Sequence, residues 1–456
     1  MIDLFTTYAG LHEEKLHYKF KLLRDNPAYA GAKKILERMT TGFHDRDNKI
    51  VKEFQTTFHS ALWEFFIYYI LKETKCTFDF SKQYPDFIIS NKNFNVECVV
   101  SEIKKDGNGE NKRILDDFFS MIEPFRDQDE FNKLIYEATT RHSNSINFKL
   151  KKYKDNYSKA SWVNNRHPFI IALGSYDQIR YGKEFYYSML LLLYGLKYDV
   201  LSGTFDRVTD IPKPGTQSPI PVGLFNNEAY KDISAVIFSC TITLGKLVSL
   251  AISSGMESTS HNSVLNIRHD SDDGTYKAHF VTKNIPEVPT DGLFILYNHL
   301  ATNKFDRNIL TGTSIINIGF IDGNLIVEGE NSPIVGRLHM PSLMFEIERD
   351  SIIEKLLDIN SASIKQNKNK IEFQDVKSKI NAIKNILKVA HPKSVSTIFI
   401  ETIKLYDFDI LEICKITNYS RKTVTRSIKI LIDLNIINES KAHNKRYINI
   451  FSSLIQ

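Results

Sequence analysis

The chain has 456 residues, 42% of them hydrophobic and 25% charged, with a formal net charge of +5. That length supports two or three domains with sizeable cores, and the composition excludes a disordered or fibrous chain. Cys76, Cys98, Cys240 and Cys414 lie far apart and at no zinc-ligand spacing, which excludes a disulfide framework and points to a reducing cytoplasm.

In chain order, the opening MIDLFTTYAGLHEEKLHYKF lacks the apolar run of a secretory signal, and residues 1–52 are expected to form a helical region. FQTTFHSALWEFFIYYILKE reads as a helix that is apolar nearly all round and therefore buried. Its apolar run is too short to cross a bilayer. CTFDF, PDFIIS and NVECVVS follow as three short strands separated by polar turns. A helix from about Thr140 to Tyr157 then carries the stripe Ile146, Leu150, Tyr153 and Tyr157. PFIIALGS reads as a buried strand, with ISAVIFS and GLFILYNH as further strands. The expected class is α/β. No glycine follows Gly336, which sets a boundary between Pro341 and Asp375. The main domain is expected over 53–345, a connecting helix and polar linker over 346–374, and a smaller domain over 375–456.

Two acids stand out between these strands. Asp86 opens one strand, Glu97 lies mid-strand on the next, and the polar turn NKNFN joins them, so both carboxylates fall at one sheet end. Phosphodiester cleavage needs a hard cation to activate water and neutralise charge on the phosphoryl oxygens. Magnesium takes oxygen ligands, including one or two carboxylates. Nucleases with such a pair usually carry a lysine two residues after the second acid, on the same strand face. Here that residue is Val99. The alternative is an ordinary hairpin with a solvated glutamate. Glu64 is the only acid in SALWEFFIYYIL. A buried carboxylate there is costly unless it pairs with a base or a cation, and a salt bridge to a lysine satisfies that as well as a metal does. At ~100° per residue, Arg141, Ser145, Lys149 and Lys152 share one face of the following helix, from which a lysine can reach back to the acids.

The motifs YPDF, VEC, RHSNSINFKLKKY, RHPFIIALG, ISAVIFS and LYNHLA occur in this order over roughly Phe54 to Phe305. They resemble a group of bacterial PD-(D/E)XK-like nucleases that carry PDF, VEA, an arginine eight residues before a lysine, a KPFVIAI-like strand, an ISAVLFS strand and YNPNA. The resemblance implies a restriction-endonuclease-like core, αβββαβ with extra strands, that hydrolyses phosphodiesters with Mg²⁺ or Mn²⁺. It implies Asp86 and Glu97 as metal ligands, Glu64 as a further catalytic acid, and Lys149 as the lysine moved onto the helix. A role in bacterial restriction or phage defence is the matching expectation. Cys98 in place of a small alanine, and YNHLA in place of YNPNA, depart from the family pattern.

From Asn360 onward the chain holds 17 Lys+Arg against 8 Asp+Glu, a balance of +9 that leaves −4 for the rest. Concentrated basic charge is the usual footprint of a nucleic-acid contact. DFDILEICKITNYSRKTVTRSIKILIDLNIINESKAHNKRYINIF reads as a winged helix-turn-helix. ILEICKIT is its first helix, Ser420 the N-cap of the recognition helix, and Asn435 its left-handed end. Val424, Ile428, Leu431 and Ile432 face the core. Arg421, Lys422, Thr423 and Arg426 sit where major-groove contacts occur, and Lys441, Lys445 and Arg446 on the wing are expected to meet phosphates. DNA is the expected partner, with a second copy of the chain as another, and neither membrane nor organic cofactor is expected. A winged helix can also dock proteins. The competing function is a non-catalytic DNA-binding regulator with a degenerate nuclease core. Val99 favours that reading, while three acids and a lysine favour an endonuclease.

Overall fold

The computed structural model describes residues 2–101, 112, 114–176, 182–216, 218–258, 260–269, 275–310, 314–321, 323–329, 331–405, 408–434, 436–439 and 446–449. They fall into two compact units, Met1–Val200 with Thr204–Ile364, and Lys365–Gln456 with Leu201–Gly203.

In the first unit, α1 (Tyr18–Asp25), α2 (Ala30–Met39) and α3 (Ile50–Thr56) lead into α4 (His59–Glu73). Strands β1 (Phe87–Ile89) and β2 (Phe94–Ser101) precede α5 (Leu115–Ile122), α6 (Gln128–Asp155) and β3 (Phe169–Ser175). Next come α7 (Tyr187–Tyr194) and two small hairpins, β4 (Leu196–Tyr198) with β5 (Phe205–Arg207) and β6 (Asp210–Pro212) with β7 (Pro219–Pro221). After them run β8 (Ile233–Ser239), α8 (Leu244–Ser253), β9 (Asn262–His269), β10 (Tyr276–Phe280) and β11 (Phe294–Tyr297). The order ends with β12 (Ile316–Ile321), β13 (Asn324–Glu328), β14 (Ile334–Pro341) and α9 (Ser342–Ala390), which continues into the second unit.

The protein is mixed α/β. Its main sheet has seven strands in the order β1-β2-β3-β8-β11-β12-β13, and a smaller one runs β10-β9-β14. Strands β2, β3 and β8 are parallel, with β1 and β11 antiparallel at either side of them. Helices cover both faces of this centre, which is why β3 and β8 are buried at every residue. Side-chain alternation sorts the core into two layers. Val96, Ile170, Ala172 and Ile237 pack with the apolar residues of α4. Phe169, Ile171, Leu173 and Phe238 pack with Ile146, Leu150 and Tyr153 of α6.

Three expectations need correction. CTFDF is no strand: it meets β1 at a single bridge, Phe78 to Ile89, flanked by backbone bonds from Asp79 N to Ile88 O and from Ser90 N to Thr77 O. Helix α6 starts at Gln128 rather than near Thr140, capped by Asp127, whose side chain accepts from Glu130 N. Residues 1–52 carry helices α1 and α2, whose Phe20, Leu23, Ile35, Leu36 and Met39 enter the same core as α4. The polar linker within 346–374 is also helical, for α9 runs unbroken over 49 residues. Nothing in that stretch is a helix breaker, and Pro392 comes only after its end.

The second unit adds α10 (Lys393–Ile403), α11 (Ile410–Thr417), α12 (Arg421–Asp433) and the antiparallel pair β15 (Ile437–Glu439) and β16 (Tyr447–Asn449). Val395, Phe399, Ile413, Val424, Ile428 and Leu431 form its core. Asp409 and Glu412 make a capping box on α11, and the Ser420 side chain accepts from Thr423 N to cap α12. Among the described residues, no helix is long and apolar enough to cross a membrane, and all four cysteines are free thiols.

Candidate active site

Asp86 and Glu97 meet at the edge of the main sheet. The β1–β2 register pairs Phe87 with Val96, so the residue before β1 falls beside Glu97. Asp86 N donates to Glu97 Oε2 at 3.3 Å, and Cys98 N donates to Asp86 Oδ2 at 2.7 Å. The hairpin backbone therefore holds both carboxylates together, as its spacing predicts.

Glu97 faces α6 and is only 2% exposed. Lys149 of α6 donates from Nζ to Glu97 Oε1 at 2.6 Å, and the Tyr157 hydroxyl donates to the same oxygen at 2.9 Å. Burial works against the Lys149 ammonium, but Glu97 and Asp86 outweigh it and hold its pKa above the ordinary lysine value. Val99, two residues along β2, packs into the apolar layer with Ile146 and Leu150 instead of presenting a polar group.

On the other side of Asp86 lies Arg46, from the loop before α3. Its Nη1 donates to Lys82 O at 2.8 Å and Pro85 O at 2.9 Å, and its Nη2 stands 3.7 Å from Asp86 Oδ1. Burial, then repulsion from Glu97, pushes Asp86 up to about 7, against the pull of Lys149, the Cys98 N–H and Arg46. Glu64 lies on α4, near enough to Asp86, Arg46 and Glu97 for their charges to act on it. Burial and repulsion from Asp86 raise it well above the usual carboxylate range.

No family model, curated protein or solved structure matches this chain. Three acids (Asp86, Glu97, Glu64) meet two cations (Lys149, Arg46) in a poorly solvated place, where burial and mutual repulsion hold Asp86 and Glu64 toward their neutral forms. Among the described residues, no group of three or more His, Cys, Asp or Glu side chains is arranged to hold a metal ion unaided. The donor chemistry nonetheless fits a hard divalent cation, because Mg²⁺ needs only one or two carboxylates and takes waters for the rest. Asp86 and Glu97 are the residues that would hold it.

Other candidates sit elsewhere. Arg141 is turned toward Glu184, 3.9 Å away, and not toward the acid pair. Its neighbour His142 contacts Ser101 at 3.2 Å. Lys152 lies over the Phe148 ring, and Lys154 donates to Ala229 O. Sequence reasoning missed Arg46 and the hydroxyl role of Tyr157. Tyr157 is visible only as a member of the apolar stripe, and HDRDNK, which contains Arg46, carries no signal beyond alternating charge.

In the second unit, Arg421, Lys422 and Arg426 are exposed on α12 and Thr423 is half-buried. Arg446 is tied to Glu412, with Nη2 3.2 Å from Oε2, so it is not a freely presented cation. Lys441, Lys445 and Asn435 lie outside the described residues.

Proposed function

We propose that this chain is a metal-dependent DNA endonuclease of the PD-(D/E)XK type, serving restriction or phage defence. Asp86 and Glu97 are its cation ligands, Lys149 its electropositive donor, and Glu64 a supporting acid. The observation that carries this reading is the 2.6 Å contact between Lys149 and Glu97. A helix lysine reaches the acid pair from which the strand lysine is missing. The order α4, β1, β2, α5, α6, β3, with β2 and β3 parallel, supports such a core with one strand fewer than the resemblance implies.

Mg²⁺ or Mn²⁺, when bound, supplies Lewis acidity and an activated water. The chain's own residues do the rest. Cys98 N–H and Arg46 steady Asp86, Tyr157 orients Glu97, and the Lys149 ammonium offers fixed positive charge where phosphate charge develops. In the second unit, helices α10 to α12 and the β15–β16 pair are the parts of a winged helix, with α12 as the helix that reads DNA.

Plasmid nicking in Mg²⁺ tests this proposal. Asp86→Ala and Glu97→Ala are each expected to abolish metal-dependent cleavage, and Glu64→Ala to lower it in part. Cleavage by both of the first two at the wild-type rate overturns it. A second reading, a DNA-binding regulator with a degenerate core, draws on the packed, apolar Val99. It predicts DNA binding by the wild type with no metal-dependent nicking at all.

A further inference from the structure

A line of aromatic rings leads from Glu97 to the protein surface. Tyr157, which donates to Glu97 Oε1, stacks on Tyr84 with centroids 4.8 Å apart and planes 17° from parallel. Trp162 packs on Tyr84 at 5.2 Å, and its Nε1 donates to Tyr84 O at 3.0 Å. The rings are anchored at one end on a site carboxylate and at the other on the backbone two residues before Asp86.

Trp162 remains 39% exposed, whereas Trp63, the chain's other tryptophan, is fully buried with its N–H on Ala172 O. A large indole left at the surface and fixed by its own N–H is a rigid, pre-ordered apolar plate. Lys82 Nζ stands 5.8 Å over its ring, and Arg46 holds the Lys82 carbonyl. Lys159 and Arg166, on the same short segment as Trp162, are exposed. Aromatic plates interleaved with cations are what an unpaired nucleic-acid strand uses, bases on the rings and phosphates on the cations.

We propose that Trp162, backed by Tyr84 and Tyr157, stacks an unpaired nucleobase of the substrate, so that the strand enters the site single-stranded or frayed. A base inside a duplex is already stacked on its neighbours and cannot reach the ring. The proposal rests on the nuclease reading for the identity of the adjacent acids, but its test needs no cleavage.

Intrinsic tryptophan emission is the readout, since a base can reach only Trp162. In the full-length Asp86→Asn variant, a short oligothymidylate is expected to quench emission saturably, and a blunt duplex of equal length to leave it nearly unchanged. By fluorescence anisotropy, Trp162→Ala should weaken oligothymidylate binding roughly five- to 150-fold, the range for one missing base stack. Trp162→Phe should restore much of it, and neither variant should alter duplex affinity. Equal quenching by duplex, or bound oligothymidylate without quenching, overturns the platform. Wild-type protein that never cleaves DNA leaves a positive quenching result intact. Cleavage without quenching removes the platform and spares the nuclease.

Discussion

Lys149→Ala changes two things at once. It removes the preorganised ammonium beside the acids, which typically costs ~10²–10³ in turnover. It also leaves Glu97, 2% exposed, without its ion-pair partner, and breaking a buried pair on one side costs ~3–5 kcal/mol. The variant should therefore be less thermally stable as well as nearly inactive. Measuring turnover well below its melting temperature separates the two effects. Wild-type turnover there sinks the migrated-lysine reading. Lys152→Ala is expected to be close to neutral, because that lysine lies over Phe148, away from the acids. Val99→Lys is a poor rescue despite sharing a strand face with Glu97, since it would push an ammonium into the layer that holds Ile146 and Leu150.

Among the elements, α12 should supply DNA affinity through its exposed first turns. Arg421→Ala combined with Arg426→Ala is expected to weaken binding and flatten the dependence of log K on log salt by up to ~2, about one for each phosphate that is no longer neutralised. Unchanged affinity together with an unchanged slope would make α12 a protein-docking helix. The residues of α11 and α12 were legible because local signals agree there: a capping acid or serine, an apolar face at helical spacing, and a turn at Asn418 with φ of 59°. The acid pair was legible from the hairpin, and Lys149 from one helix face plus the family resemblance. Arg46 was not, because a loop cation 40 residues before Asp86 reaches it only through tertiary folding. The extent of α9 was missed for the opposite reason. Its polar middle reads as a linker by composition, yet Lys, Gln and Asn at these positions are compatible with a helix once no glycine or proline interrupts it.

For the whole molecule, opposing titrations bound the pH range of stability. Glu287 is held at about 2, since Arg337 and Lys246 outweigh the effect of its burial. Its folded pKa lies below the ~4.3 of an unfolded glutamate, so its contribution is complete above that value and lost as pH falls toward about 2. Burial, with Lys19 and Arg337, lowers His339 to about 4, and burial with Arg141 lowers His142 well below its usual range. Neutral in the fold, these histidines give stability that is complete above ~6.5 and lost in acid. Asp86 has the opposite sign. Raised to about 7 by burial and Glu97, it contributes stability that is complete below ~3.9 and lost as pH climbs through about 7. The metal-free protein should therefore be most stable at about pH 6 and should weaken toward about pH 8. On the proposed metal reading, Mg²⁺ competes with the Asp86 proton, so it should raise the melting temperature more at about pH 8 than at about pH 6. Asp86→Asn should remove the Asp86 share of the alkaline decline, Glu64 keeping its own because burial also raises it well above the usual carboxylate range, and should remove the Mg²⁺ response, leaving an inactive protein that is more stable than wild type in a chelator at the higher pH. Thermal unfolding of both proteins, with chelator and with Mg²⁺ across that range, makes the comparison. An undiminished Mg²⁺ response in Asp86→Asn would remove Asp86 as a ligand.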